Sequence, residues 1–223
     1  MIGIISAMEP EMRALAASLD GRKTETHSAL SYNRGKLGGV ECVVCECGVG
    51  KVNAASHAQI LIDRYAPDAI IFTGVAGALS PEVGLFDTVV ATELVYHDMS
   101  DFVLDTFSPL ERVYRTDERL TSLALDACEA IGTPHIAGRV ATGDVFVSDQ
   151  ATKNDIFDHT HALCTEMEGC AVAHVAYLAG VPCAVLRAIS DNADGGAEVD
   201  FPAFLERAAK TSAAVVRELL ARM

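Results

Sequence analysis

The sequence contains no tryptophan and is short of basic residues. Its 17 Lys and Arg stand against 31 Asp and Glu, which gives a formal net charge of −14. No cluster of Lys and Arg interrupts this acidic balance, so the basic footprint that binds nucleic acid phosphates is missing. An anionic membrane surface is disfavoured for the same reason. We therefore expect neither nucleic acid nor a membrane as a partner.

Long apolar runs are also missing, since none approaches the roughly 20 residues that span a bilayer. The chain opens with Met1-Ile2-Gly3-Ile4-Ile5, which has neither the basic region nor the cleavage site of a signal peptide, so we expect no secretion signal. Half of the 223 residues are apolar, enough for one domain with a large core and too few residues for two typical domains. Without repeats or a linker, the sequence predicts one domain over residues 1–223.

The seven cysteines are an odd number and lie mostly inside apolar runs. We find no further ligands at the spacing that a metal site needs. Two histidine pairings, His159-Thr160-His161 and His97-Asp98, lack the i, i+4 spacing with a carboxylate that is typical of a helical zinc site. We expect buried, reduced thiols, a cytoplasmic protein, and no metal or cofactor.

Short β-rich runs alternate with amphipathic stretches along the chain. The pattern predicts strands at Met1–Ser6, Val40–Glu46, Ala69–Thr73, Asp87–Leu94, Ile136–Thr142, Leu163–Glu166 and Cys183–Ile189. It predicts helices at Glu9–Leu19, from the Gly48-Val49-Gly50 turn to Tyr65, and at Glu118–Ile131, Glu168–Ala179 and Phe201–Leu220. This order indicates an α/β domain of three layers, α/β/α, with a central mixed β-sheet covered on both faces. Residues 98–115 show no clear period, and so long a loop is often functional or an interface.

Three familiar motifs are incomplete. The Gly48-x-Gly50-x-x-Asn53 string follows a strand, but it lacks the third glycine of a dinucleotide fingerprint. It also lacks the Ser or Thr after the lysine that a P-loop requires. No G-x-S-x-G elbow is present, so acyl transfer by an activated serine is unsupported. The glycines predict a tight turn into a helix, with backbone that could form a wall for a small ligand.

Three acidic residues follow predicted strands. Glu11 comes after the first strand, Glu168 after the run that ends in Glu166-Met167, and Asp191 after the apolar run Cys183–Ile189. Ligands of open α/β sheets bind at the carboxyl ends of the strands. Any one of these acids, taken singly, is best explained as a helix cap or first-turn acid. Three together, each in a distinctive string, favour a shared site.

Those strings carry a resemblance. They are Gly3-Ile4-Ile5-Ser6-Ala7-Met8-Glu9-Pro10-Glu11, Gly48-Val49-Gly50-Lys51-Val52-Asn53-Ala54-Ala55, Thr73-Gly74-Val75-Ala76-Gly77-Ala78, Thr142-Gly143-Asp144-Val145-Phe146-Val147, Glu166-Met167-Glu168-Gly169-Cys170-Ala171 and Arg187-Ala188-Ile189-Ser190-Asp191. In this order they resemble the 5′-methylthioadenosine/S-adenosylhomocysteine nucleosidases over nearly the whole chain. The resemblance implies a nucleoside phosphorylase-like fold, a homodimer, and hydrolysis of both nucleosides to adenine and a thio-ribose, with 5′-deoxyadenosine as a further substrate.

The resemblance also implies roles for the acids. Asp191 matches the acid that protonates N7 of the leaving adenine, and Glu11 matches the base that takes a proton from the attacking water. Glu168 matches the carboxylate that binds the ribose hydroxyls and steadies the positive sugar. Such roles suit the oxocarbenium character of glycosidic cleavage. Substrate contacts are implied for Ala7, Val49, Ala76, Gly77, Phe146, Val147, Glu166, Met167, Arg187, Ser190 and Phe201.

Within that set, Phe146 is expected to stack on the purine while the backbone of Val147 reads its edge. Met167 is expected against the ribose, and Phe201 is expected to close the pocket. Arg187 and Ser190 are expected to orient the loop that carries Asp191.

Two departures from the family pattern concern the substrate pocket. Val75 stands where many relatives carry a serine, so one polar contact is lost. The stretch from Tyr96 to Phe107 matches the family only in its first three residues, Tyr96-His97-Asp98. In the family, this segment of the partner subunit lends apolar side chains to the 5′ pocket, and here Phe102, Val103 or Phe107 could do so.

Three alternatives remain open. The opening loop offers Glu9 and Glu11 and no arginine before Arg13, so it favours neutral water over a phosphate dianion and hydrolysis over a phosphate-dependent phosphorylase. A hydrolase of aminodeoxyfutalosine would share the same acids. A catalytically inactive nucleoside-binding scaffold on this fold would have no need of all three.

Overall fold

The computed structural model describes residues 1–27 and 30–223, with residues 198–200 and 203 as backbone only. Its strands are β1 (Ile2–Ser6), β2 (Asp20–His27), β3 (Leu30–Leu37), β4 (Val40–Glu46), β5 (Ala69–Ala78), β6 (Thr88–Tyr96), β7 (Tyr114–Arg115), β8 (His135–Thr142), β9 (Cys164–Glu166) and β10 (Cys183–Asp191). Its helices are α1 (Glu9–Ala16), α2 (Lys51–Tyr65), α3 (Asp101–Thr106), α4 (Glu118–Ile131), α5 (Gln150–Thr160), α6 (Gly169–Ala179) and α7 (Ala197–Ala221).

All ten of these strands belong to one mixed sheet. Its order is β10-β6-β8-β9-β5-β1-β4-β3-β2, with β7 attached to β6. Parallel pairs join β1 to β4 and β5, whereas β10 pairs in parallel with β5 and antiparallel with β6. Because β10 bonds to both β5 and β6, the strands β5, β9, β8, β6 and β10 close into a ring. The carboxyl ends of β1, β5 and β10 therefore meet at one edge.

Helices cover both faces of the sheet, which confirms the predicted three layers. The two sides of β1 show why: Ile5 packs into a core shared with α2 and α6, while Ile2 and Ile4 face a second core shared with α1, α4 and α7. Alternate side chains of a strand point to opposite faces, so a strand buried on both faces is apolar at nearly every position.

Strand β5 differs from its predicted extent. The prediction that the strand stops at Gly74 is wrong, since β5 continues to Ala78 and all ten of its residues are buried. Glycine was interpreted as a break, but here it permits a close approach. A Cβ at Gly74 would lie 2.3 Å from Nη1 of Arg187 and 2.8 Å from Oε1 of Glu11, so only glycine fits beneath these side chains.

Several elements have no counterpart in the sequence prediction. The hairpin of β2 and β3 extends the sheet at one edge, and α5 lies in the connection from β8 to β9. The segment 98–115, expected as a loop, contains the short helix α3 and the two-residue strand β7. The last helix begins at Ala197, four residues before its predicted start, with Pro202 inside it.

Candidate active site

A cavity of about 350 Å³ opens where β1, β5 and β10 end. All fourteen predicted site residues line it: Ala7, Glu11, Val49, Ala76, Gly77, Phe146, Val147, Glu166, Met167, Glu168, Arg187, Ser190, Asp191 and Phe201. Four further lining residues were not predicted as site residues: Met8, Val75, Val145 and Thr165. Each of the four directly adjoins a predicted residue in the chain. Met8, Val75 and Val145 lie inside the motif strings, which could have identified them, whereas Thr165 immediately precedes one.

Glu11 lies in the first turn of α1, where acids are favourable with the helix dipole. Its Oε2 accepts the backbone N–H groups of Ala7 (3.1 Å) and Met8 (3.0 Å), and its Oε1 accepts the N–H of Val75 (3.0 Å). Burial raises the pKa of this carboxyl, against the lowering effect of Arg187 and of the three amides. Since an ionised carboxylate has about four lone-pair sites, these amides leave one for a further donor in the cavity.

Glu168 precedes α6 and is 4% exposed. Its Oε1 accepts the N–H of Gly50 at 2.8 Å, in the turn that opens α2. Burial and the neighbouring Glu166 raise the pKa of Glu168 to about 7, although Arg187 and the Gly50 amide act in the opposite direction. Gly48 and Gly50 have φ angles of 82° and 98°, so the predicted tight turn is confirmed and needs glycine.

Arg187 contacts the acids of the cavity. It is fully buried on β10, pairs with Oε2 of Glu166, and lies 3.7 Å from Oε2 of Glu168. Its guanidinium carbon stacks 4.2 Å from the ring centroid of Phe72. Burial lowers its pKa, but three carboxylates outweigh that effect and raise the pKa. Arg187 therefore remains charged and holds the acids of the cavity by its charge.

Glu166 lines the cavity with a carboxylate that already has protein partners. It accepts the N–H of Glu168 at 3.0 Å, the N–H of Gly169 at 2.9 and 2.7 Å, the hydroxyl of Thr142, and the Arg187 guanidinium. These bonds fix the start of α6, on which Glu168 sits. Glu166 thus acts as an anchor for its neighbours.

Asp191 lies at the end of β10, next to a β-bulge. Ile189 pairs with Ala76 and Asp191 pairs with Gly77, so Ser190 is the extra residue. The Ser190 hydroxyl donates to Oδ2 of Asp191 at 2.8 Å, and the N–H of Ala193 donates to Oδ1 at 2.9 Å. Ser190 therefore contacts the carboxyl of the residue whose loop it is predicted to orient.

Glu11 and Asp191, the candidates for the general base and the general acid, lie near different residues of β5. A Cβ at Gly77 would lie 2.7 Å from Oδ1 of Asp191, just as one at Gly74 would crowd Glu11. Residues three apart on a strand are roughly 10 Å apart. The cavity therefore has one carboxylate towards each end of this interval, Glu11 near Gly74 and Asp191 near Gly77.

Two aromatic rings meet at the cavity. Phe146 is 43% exposed, and its ring lies edge-to-face with that of Phe201, with centroids 5.6 Å apart at 74°. A planar base could insert beside them. Among the described lining residues, Arg187 is the single cation against four carboxylates, so the cavity stabilises positive charge and repels dianions.

The described residues contain no group of three or more His, Cys, Asp or Glu that could hold a metal ion. Among them, no helix combines the length and the apolar character needed to cross a membrane. All seven cysteines are free and buried.

Fold and site together define a class of α/β protein in which buried carboxylates surround a nucleoside-sized cavity, and a family model described as "Phosphorylase superfamily" matches residues 1–221. A relative from Chromohalobacter salexigens, a 5′-methylthioadenosine/S-adenosylhomocysteine nucleosidase, is 35% identical and covers 100% of this chain and 97% of its own. The chain therefore belongs to the phosphorylase superfamily and, within it, to the 5′-methylthioadenosine/S-adenosylhomocysteine nucleosidase family.

Solved structures agree with this assignment. The nucleosidase from Neisseria meningitidis in complex with methylthio-immucillin-A is 30% identical with a TM-score of 0.96, covering 100% of this chain and 99% of that one. The futalosine hydrolase of Helicobacter pylori is 32% identical with a TM-score of 0.93, covering 100% and 97%.

Proposed function

We propose that this protein hydrolyses the N-glycosidic bond of 5′-methylthioadenosine and S-adenosylhomocysteine, and also of 5′-deoxyadenosine, with release of adenine. The observation that carries the proposal is the gathering of Glu11, Glu168 and Asp191 around one cavity. The full-length likeness to proteins named for this activity supports it.

Water attack begins at Glu11. Three backbone amides hold its carboxylate in place and leave one acceptor site for the water. Its raised pKa makes it a stronger base than a free glutamate. As the water oxygen bonds to the anomeric carbon, Glu11 takes the proton, and such a group contributes about 10²–10⁴-fold to the rate.

The departing adenine needs a proton at N7, and Asp191 supplies it. Ser190 and Ala193 fix the two oxygens of this carboxyl. For this step Asp191 has to carry a proton when the substrate is bound, and this residue is 2% exposed at the end of β10. Once N7 is protonated, the electron pair of the glycosidic bond leaves with a neutral base.

The ribose and purine contacts complete the assignment. Glu168 accepts hydrogen bonds from the ribose hydroxyls and stabilises the positive charge of the sugar. Met167 packs against the ribose ring. Phe146 stacks on the purine, Val147 reads its edge through the backbone, and Phe201 closes the cavity. Ala7, Val49, Ala76 and Gly77 form the remaining walls.

Hydrolysis is favoured over phosphorolysis by the charges of the cavity. A phosphate dianion near Glu11 would meet four carboxylates, while Arg187 is already engaged by Glu166. A neutral water meets no such repulsion. The proposed enzyme is therefore independent of phosphate.

Residues 98–115 are proposed to reach the active site of a second copy in a homodimer. Phe102 and Phe107 are 68% and 56% exposed on and beside α3, and Val49 at the cavity mouth is 48% exposed. Apolar side chains this exposed are suited to an interface. A neighbouring copy would give the 5′ substituent an apolar wall.

Hydrolysis of aminodeoxyfutalosine is the second candidate function. The likeness to the Helicobacter pylori futalosine hydrolase supports it, and the altered segment after Asp98 is where a larger 5′ group would be accommodated.

For cellular context, we propose a role in nucleoside catabolism and methionine salvage in the cytoplasm. The seven free thiols suit a reducing compartment.

The test is adenine release from methylthioadenosine, S-adenosylhomocysteine, 5′-deoxyadenosine and aminodeoxyfutalosine, each with and without phosphate. We expect phosphate-independent release from the first three. Release should disappear in Asp191→Asn with the circular dichroism spectrum unchanged. Cleavage of the futalosine more than about tenfold better than methylthioadenosine, a gap of roughly 1.4 kcal/mol in transition-state binding, would establish the second candidate instead.

A further inference from the structure

Three charged residues outside the cavity bond to one another, and we call them the Lys51 junction: Lys51, Asp98 and Asp144. The ammonium of Lys51 lies 2.7 and 2.6 Å from the two carboxylate oxygens of Asp98 and 3.6 Å from Oδ2 of Asp144. The backbone N–H of Lys51 donates to Oδ1 of Asp144 at 2.8 Å, and that of Asp144 donates to Oδ2 of Asp98 at 2.9 Å. Every pair in the junction is therefore connected.

Each side of the junction continues directly into a wall of the cavity. Immediately before Lys51, the N–H of Gly50 holds Glu168. Immediately after Asp144, residues 145–147 line the cavity and include Phe146. A Cβ on Gly50 would lie 3.2 Å from Oδ1 of Asp144, so the two walls meet closely at this point.

None of the three residues lines the cavity itself. The Lys51 and Asp98 side chains are 20% and 22% exposed, and the Lys51 ammonium lies 5.5 Å from the ring centroid of Tyr96. An isolated surface ion pair contributes about 0–1 kcal/mol to stability. The junction differs from such a pair because its carboxylates also bind two backbone amides, one in each wall.

We propose that the Lys51 junction is a positioning device for the reaction proposed above, on which this inference rests. It sets the spacing between Phe146, assigned to the purine, and Glu168, assigned to the ribose hydroxyls. Lys51, Asp98 and Asp144 are positioning residues, since each acts through other side chains. The junction matters for ligands that contact both walls at once.

Loss of the lysine charge should therefore act on the nucleoside more than on free adenine. In Lys51→Met, we expect the KM for methylthioadenosine to rise about tenfold, because a tenfold change corresponds to roughly 1.4 kcal/mol of binding. Glu11 and Asp191 are held by bonds outside the junction, so kcat should fall less than about threefold. The inhibition constant of adenine, which reaches only the purine wall, should change less than about threefold by the same reasoning.

Two comparisons accompany Lys51→Met. Lys51→Arg keeps a charge that can bond both oxygens of Asp98 and should restore KM to within about threefold of wild type. Lys210→Met removes an exposed lysine of α7 that pairs with Glu206 at 3.8 Å, and it should leave KM, kcat and melting temperature unchanged. Asp98→Asn, which keeps the side chain's size, serves as a second disruption and should reproduce the rise in KM.

Unchanged KM in both Lys51→Met and Asp98→Asn would overturn the inference. So would equal weakening of adenine and nucleoside, which would indicate general loosening of the fold. A wild-type protein that releases no adenine from any of the four nucleosides would instead overturn the proposed function itself, and the inference with it.

Discussion

Arg187 shows how a single residue organises the charges of this site. Its guanidinium is 1% exposed and interacts with Glu166, Glu168 and Glu11. A buried cation needs such partners, because an uncompensated buried charge costs several kcal/mol. In exchange, the arginine allows several acids to lie close together around one buried cavity. Glu168 still retains a pKa raised to about 7, so the compensation is incomplete.

Glu168 should consequently make stability depend on pH. A carboxyl whose folded pKa exceeds its unfolded value contributes stability that is fully present below about pH 4.5 and is lost as pH rises through about 7. The Glu168→Gln variant has no such loss. We expect the melting temperature of Glu168→Gln, relative to that of wild type, to be higher at pH 8 than at pH 5. The corresponding change in the relative free energy of unfolding is up to about 3 kcal/mol.

The measurement is calorimetry of both proteins at the two pH values. Glu129→Gln, on an exposed face of α4, is the matched control and should show the same offset at both. A relative melting temperature of Glu168→Gln that falls between pH 5 and pH 8 would contradict the sign.

Among the elements, β5 carries the site because Gly74 lies beneath Arg187 and Glu11 and Gly77 lies beneath Asp191. Gly74→Ala should place a methyl group against Arg187 and Glu11. Overpacking of this kind costs about 1–3 kcal/mol, or a melting temperature lower by roughly 2–12 °C for a domain of this size. Displacement of Glu11 should also reduce adenine release at least tenfold, to the extent of one lost proton-transfer group.

Thermal melting and adenine release measure both effects. Gly84→Ala is the control, because a Cβ there would lie at an ordinary 3.7 Å from Oδ2 of Asp87. If Gly74→Ala melted and turned over like Gly84→Ala, the close approach at β5 would have no energetic importance.

The elements with strong apolar patterns could be predicted from sequence. Strands β1, β4 and β10 are buried on both faces and have continuous apolar runs. The edge strand β2, Asp-Gly-Arg-Lys-Thr-Glu-Thr-His, is almost entirely exposed and has no apolar alternation to reveal it. The predicted start of α7 at Phe201 is four residues late, since the helix begins at Ala197 and contains Pro202 in its interior.

The candidate site was predictable to the extent that its residues occur in recognisable strings. The Lys51 junction was not, because its members are 46 and 47 residues apart and each is an ordinary surface charge in isolation. The ion pair of Arg187 with Glu166 could not be predicted for a similar reason. Glu166 lies 21 residues away, and only the pairing of strands brings the two together.

At the scale of the whole molecule, the exposed aromatic side chains of residues 98–115 predict an oligomer. A stable interface buries roughly 1,200–2,000 Å² in total, and Phe102, stacked edge-to-face on Phe107 at 6.1 Å, would lie within it. We expect wild type to sediment as a dimer and Phe102→Asp as a monomer. The KM for methylthioadenosine should rise in the same variant, because the wall for the 5′ group is lost.

Sedimentation velocity over a range of concentrations measures the first effect, and steady-state kinetics the second. Ile131→Asp, at an exposed apolar position on α4, should remain dimeric with unchanged KM. A wild type that is monomeric yet fully active would remove the proposed role of the partner copy.

The bulge at Ser190 has a consequence for how this site tolerates change. Opposite Gly77, β10 offers two residues where a regular strand offers one, and a shift of one residue turns a strand's side chains to the other face. The direction of the Asp191 side chain therefore depends on the number of residues in this part of β10 as well as on its hydrogen bonds. Removal of one residue between Ile189 and Asp191 would leave the aspartate in the chain yet turn its carboxyl out of the cavity. Insertions and deletions here should be far more damaging than most substitutions of Ser190 itself.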